Sequence, residues 1–175
     1  VFTAPVQQRN AKLLATDGKM WFTKPGISRP VPVTRKQLVG NAAYGDLAST
    51  RYAEEYEASF LPDDEIDGKP CYVLDLKSIT PQATYDRIHY WVTRKDCLAI
   101  QARYFTLSGK PIKLARMEYE NRIVNDQGKR QPFISRMVIQ DELTGTGTTV
   151  MVFSQPNQDP LPATLFDVNQ YVQNL

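Results

Sequence analysis

His89, Cys71, Cys97 and the acidic run Asp63, Asp64, Glu65 and Asp67 are the residues whose types could support catalysis or metal binding. A cysteine nucleophile needs a base within hydrogen-bond reach. His89 falls mid-strand in TYDRIHYWVT, and with Arg94-Lys95-Asp96 as the following loop it lies opposite Gln101. Cys97 is then four positions along, about 13 Å away at ~3.4 Å per residue, so no Cys–His dyad is expected. The cysteines are not at zinc-ligand spacing, and one histidine adds little. They begin strands separated by a third, about 9.5 Å apart, beyond the ~7 Å a disulfide spans. A bulge or displaced loop would be needed to bring them together. The acidic run lacks the spacing of a calcium loop and its distal glutamate, and reads as a solvated hairpin loop. No nucleotide-binding glycine loop or nucleophile elbow is present, and GTGT at 145–148 reads as a turn. The residues therefore predict no enzyme and no metal site.

The elements that would position any site are strands. The 175 residues suit a single domain, and a formal charge of +2 gives no argument for nucleic acid or an anionic surface. No stretch approaches the ~18 apolar residues of a membrane span. The chain begins at Val1, and VFTAPVQQ reads as the end of a strand and its turn. This predicts that an upstream targeting segment, with or without further structure, has been removed. AKLLAT and KMWFT flank Asp17-Gly18, a strong hairpin signal. PGISRPVPVT is too proline-rich for a central strand. TRKQLVGNAAYGDLASTRYAEEY reads as loop with one or two helical turns. Strands follow at Tyr56–Leu61, Cys71–Lys77, 85–93, 97–106, 111–120, 132–142 and 147–154. A short helix is predicted after Pro162, with Leu165, Val168 and Val172 on one stripe. The pattern is mainly β and antiparallel, with a few short helices.

Turn lengths predict the register of the central meander. Loop 94–96 sets Ile88 opposite Ala102, Tyr90 opposite Ile100 and Val92 opposite Leu98. A two-residue turn at Ser108-Gly109 sets Ile100 opposite Met117, Ala102 opposite Ala115 and Leu98 opposite Tyr119. Because successive side chains alternate, one face collects Ile88, Tyr90, Val92, Leu98, Ile100, Ala102, Tyr104, Ala115, Met117 and Tyr119. Tyr72, Leu74 and Leu76 extend it on the preceding strand. The opposite face is mixed: Arg87, His89, Trp91, Gln101, Arg103, Phe105, Ile112, Leu114 and Arg116. The apolar face exceeds the patch a monomer leaves exposed. It is either filled by the chain's own segments or partly hollow for a greasy ligand. Phenols need partners that a pocket can supply.

DGKMWF, RPVPVTRKQLVGNAAYGDLA, YEASFL, DGKPCYVLDLK, TYDRIHYWV and RYFTLSGKPIKLARMEYE resemble, in order from Lys12 to the end, the bacterial outer-membrane lipoprotein-sorting proteins. These belong to the LolA/LolB-like group of periplasmic lipid carriers. The resemblance implies a strongly curved, incomplete antiparallel β-barrel closed by helices and loops, and a periplasmic location after removal of a signal sequence. It implies an acyl-chain ligand from a lipoprotein or lipid, an inner- or outer-membrane protein partner, and neither catalytic residues nor a cofactor. The cavity wall is then Tyr72, Leu74, Ile88, Tyr90, Val92, Leu98, Ile100, Tyr104, Met117 and Tyr119, with segment 34–60 as the lid. Family members usually open with a helix and strands that this chain lacks, and exposed strand edges would then favour a dimer. Two other functions stay open: a lipoprotein-sensing interaction domain of the same fold, and a structural β domain with a filled core.

Overall fold

A computed structural model of the chain describes residues 2, 6, 9–16, 18–48, 51–125 and 127–168. It is 50% strand and 8% helix, which makes the protein mainly β. Two compact units are present: Val1–Val39 with Ala43–Thr50 and Asp159–Leu175, and Gly40–Ala42 with Arg51–Gln158.

In the first unit, β1 (Lys12–Thr16), β2 (Lys19–Thr23) and β3 (Val31–Val33) form an antiparallel sheet in that order. Thr16 pairs with Lys19, which leaves two residues for the turn. Gly18 takes φ 72° there, as the hairpin signal predicts; Asp17 lies outside the described residues. The predicted loop with helical turns contains the two-residue strands β4 (Leu38–Val39) and β5 (Ala42–Ala43), then α1 (Tyr44–Ala48) and, in the second unit, α2 (Tyr52–Glu55). After Pro162 the predicted helix is one 3-10 turn, Ala163–Phe166, with Leu165 and Phe166 exposed. Val172 lies outside the described residues, as does most of residues 1–8.

The second unit holds one open antiparallel sheet of seven strands: β6 (Tyr56–Ile66), β7 (Lys69–Ser78), β8 (Arg87–Thr93), β9 (Ala99–Phe105), β10 (Pro111–Glu118), β13 (Arg136–Asp141) and β14 (Thr148–Val152). A separate hairpin, β11 (Asn121–Val124) with β12 (Arg130–Phe133), interrupts the sequence order between β10 and β13. The expected single strand over 132–142 is thus two, broken at Ile134-Ser135 where Ser135 N–H turns back to the Glu118 carbonyl. Gly40 meets β14 closely: Asn41 N–H donates to Thr149 Oγ1 at 2.8 Å, and a Cβ on Gly40 would stand 2.6 Å from that oxygen. With φ 61° as well, this position needs glycine.

The acidic run corrects one expectation. It is not a loop. β6 continues through it to Ile66, bulged between Leu61 and Asp64, and turns at Asp67-Gly68 with φ 51° and 74°. Charge is tolerated because β6 is an edge strand, where acidic residues also deter pairing with other chains. Three of its four carboxylates have partners nearby. Trp91 Nε1 donates to Asp64 at 2.9 Å, Arg94 pairs with Asp63, and Arg116 donates to Asp67 at 2.8 Å.

The register of the meander matches expectation on one side and shifts on the other. Tyr72 pairs with Val92, Leu74 with Tyr90 and Leu76 with Ile88. Ala102 pairs with Ala115 as predicted, because a three-residue turn closed by Thr106 N–H to Lys110 O is offset by a bulge at Ile112. Between β8 and β9, however, Ile88 pairs with Tyr104 and Tyr90 with Ala102. The ladder has slid by two residues from prediction. Cys97, at φ 52°, belongs to the turn rather than to the strand, and Ile100 is bulged out between Trp91–Gln101 and Val92–Ala99.

Candidate apolar ligand site

On the first face the register brings together Ala58 and Phe60 of β6, Tyr72, Leu74 and Leu76 of β7, Ile88, Tyr90 and Val92 of β8, Ala99, Ala102 and Tyr104 of β9, and Ala115 and Met117 of β10. Met137 and Ile139, then Met151 and Thr149, continue it. β6, β13 and β14 were outside the sequence-derived wall, although the alternation of Met137 and Ile139 carries the same period-two signal.

Two of the ten predicted wall residues are elsewhere. Ile100 packs against Cys71, Val73 and Trp91, with Leu61 and Ile66, on the opposite face. Leu98 precedes β9; its carbonyl accepts from Thr93 N–H and its own N–H donates to Thr93 Oγ1. Being opposite Thr93 rather than Val92, it also leaves the first face by alternation. The cause is a turn one residue longer than expected, which inverts the parity of Leu98 and Ile100 until the bulge at Ile100 restores it by Gln101. The supposedly mixed face therefore owns a small core beneath the acidic edge.

The first face is filled at one end and open at the other. Leu76, Ile88, Ala102, Tyr104, Ala115 and Ile139 are buried. Part of their cover is a layer of tyrosines from the chain itself. The Tyr85 ring lies 4.1 Å from that of Tyr104, and Tyr56 Oη donates to the Tyr85 carbonyl at 2.9 Å. Lys113 Nζ, buried on this face, donates to Tyr85 Oη at 3.2 Å. Of the segment expected as a lid, α2 sets Tyr52 5.1 Å from the Tyr90 ring. At the other end Phe60 is 73% exposed and Tyr72 39%, their rings in an edge-on contact at 6.1 Å. The Arg94 guanidinium stands 4.8 Å over Tyr72. Leu74, Tyr90 and Val92 lie between, half-buried. Burial, with Tyr119 beside it, raises the Tyr90 phenol's pKa, so it stays neutral. Tyr119 Oη donates to the Ala99 carbonyl at 2.8 Å, and Met117 is buried. Eight of the ten predicted residues thus remain near one face, graded from closed to open. The arrangement offers apolar contact and neutral phenols.

The polar cluster of the second face is structural. Arg87 binds buried Asp75 through Nε at 2.6 Å and a terminal nitrogen at 3.0 Å. Lys77 Nζ lies 4.0 Å away. His89 Nε2 is 3.7 Å from Asp75, without a hydrogen bond. Burial pushes the Asp75 carboxyl up, but the hydrogen bond and charge of Arg87, then His89 and Lys77, hold it below its ordinary value. Burial, then Arg87 and Arg103, push His89 down, against the pull of Asp75. Both pKa values are lower folded than unfolded, so the unfolded chain binds more protons as pH falls. Stability should decline below pH ~6.5 from His89 and again below ~3.9 from Asp75. Urea midpoints across pH should show both steps, and His89→Gln should remove only the first.

Both cysteines are free, Cys71 buried and Cys97 exposed. Among the described residues no cluster of His, Cys, Asp or Glu could hold a metal ion, and no helix is long and apolar enough to cross a membrane.

A family model described as "Uncharacterized protein" matches residues 1–171. The chain belongs to that family. Its fold is LolA-like. A LolA superfamily protein from Nitrosomonas europaea superposes with TM-score 0.78 at 27% identity, covering 96% of this chain and 74% of the other. A proposed outer membrane lipoprotein-sorting protein domain from Vibrio parahaemolyticus gives 0.78 at 17%, covering 97% and 74%. A DUF1329 family protein from Desulfovibrio piger gives 0.77 at 18%, again covering 97% and 74%. At those lower identities the last two speak for the fold alone. No curated protein matches. The resemblance read from the sequence and the LolA-like neighbours therefore agree, and the sheet is an open one, as an incomplete barrel requires.

Proposed function

We propose that this LolA-like chain is a periplasmic carrier that shields acyl chains of a lipoprotein or lipid on the open part of the first sheet face. The observation that carries the reading is the gradient along that face. Its closed end is buried, while Phe60, Tyr72, Leu74, Tyr90 and Val92 form a continuous apolar strip that water still reaches. An acyl chain contributes ~0.8 kcal/mol per buried CH₂, so such a strip needs no specific polar contact to hold one. On this reading Ile88, Tyr104 and Met117, which are buried, support the strip rather than touch the ligand. Binding and release need no chemical step, so the proposed role is not enzymatic. The periplasm is the compartment in which hidden acyl chains must cross water between two membranes.

The test is a titration of delipidated protein with a fluorescent long-chain fatty acid. Saturable binding, displaced by unlabelled long-chain but not short-chain acid, is expected. Linear, non-saturating uptake would overturn the proposal.

A further inference from the structure

The two edges of the seven-stranded sheet differ in every feature that governs strand pairing. β6 carries Glu57, Asp63, Asp64 and Glu65, contains Pro62 and is bulged. These devices deter edge-to-edge association. β14, Thr148-Thr149-Val150-Met151-Val152, has no charge, no proline and an unbroken register with β13. Phe153 N–H donates to the Ser135 carbonyl, and the Gly147 carbonyl accepts from Asp141 N–H. Alternation then turns the backbone groups of Thr148, Val150 and Val152 away from β13. Among the described residues no strand pairs with that edge. Val150 and Val152 are 47% and 73% exposed. Beside Val152 opens a cleft of about 430 Å³ lined by Ile123, Phe133, Phe153 and Pro156.

We propose that β14 pairs antiparallel with β14 of a second copy of this chain, about a two-fold axis at Val150. The occupant follows from self-complementarity. With the axis at Val150, outward-facing groups meet outward-facing groups: Val150 opposes Val150 of the partner and Thr148 opposes its Val152, for about six N–H···O bonds. Opposed valines add cross-strand contact, and a neutral strand brings no like charges together. Pairing β6 with itself would set carboxylates against carboxylates. Pairing β6 with β14 would leave free edges at both ends and propagate as a fibre rather than close. The cleft, which Ser154, Asn157 and Gln158 also line, extends the contact area beyond the strand. This interface does not depend on acyl-chain binding.

Sedimentation velocity of the whole 175-residue chain from about 1 to about 200 µM should show a concentration-dependent dimer. Val150→Lys, which sets two ammonium groups against each other across the axis, should weaken dimerisation at least about tenfold without changing the thermal midpoint measured at concentrations where both proteins are monomeric. In a Cys97→Ser background, Val150→Cys should form an intermolecular disulfide under mild oxidation, whereas Glu57→Cys should not. A monomer throughout the range, a dimer indifferent to Val150→Lys, or cross-linking at position 57 instead would each overturn the interface.

Discussion

Replacing Tyr104 by alanine should cost about 3–5 kcal/mol, the range for emptying a large buried aromatic site. Tyr104 is among the least accessible side chains of the molecule. It sits in the middle strand of the sheet, against Ile88 across the ladder and under the Tyr85 ring at 4.1 Å. Losing the ring removes apolar burial and strips Tyr85 of its support, so the tyrosine layer loosens with it. Against a domain stability of ~5–15 kcal/mol, this single change approaches the threshold of unfolding. Phe60→Ala is the counterweight. Phe60 lies on the same face but is 73% exposed, so its removal should stay within about 0.5 kcal/mol. Urea titration of both variants measures the gradient from closed to open end. Equal costs at the two positions would mean that the face is not divided as described.

What the sequence made legible was parity. Tyr72, Leu74, Ile88, Tyr90, Val92 and Tyr104 share a face because period-two alternation survives any even shift of register. What it hid were one-residue irregularities. The turn after β8 has one residue more than predicted, because Cys97 adopts a left-handed conformation and joins it. That displaced Leu98 and Ile100 to the other face. The bulge at Ile100 then added a second residue, restoring parity by Ala102. The same compensation occurs between β9 and β10, where a longer turn is cancelled at Ile112. Bulges depend on the twist and packing of both strands, and no local residue signal marks them. The acidic edge was misread for a different reason. Composition says loop, but an edge strand presents side chains to water and can be as charged as a loop. The β11–β12 hairpin was missed although its turn is ordinary: Asn125 Oδ1 accepts from the N–H groups of Gln127 and Lys129. Its strands are only four residues each, too short for alternation to register.

The second large effect follows from that correction. Val92→Asn should weaken long-chain fatty-acid binding by about 30- to 150-fold, that is ~2–3 kcal/mol. Ile100→Asn should leave binding unchanged. The two positions are neighbours on adjacent strands, and the substitution is the same polar amide. They differ in face. Val92 stands between Tyr72 and Ala99 on the open strip, where an acyl chain would lose methylene contact at ~0.8 kcal/mol per CH₂. Covering the new amide without a hydrogen-bond partner adds ~1–3 kcal/mol. Ile100 instead supports Trp91 and Cys71 on the far side of the sheet. Its substitution should lower the urea midpoint, since a polar group replaces a half-buried aliphatic one, while the ligand never meets it. A simple cavity bounded by the whole predicted wall would give the opposite outcome, with both variants losing affinity. If Ile100→Asn impaired binding as strongly as Val92→Asn, the acyl chain would have to reach both faces. A site confined to the strip from Phe60 to Val92 could not then be right.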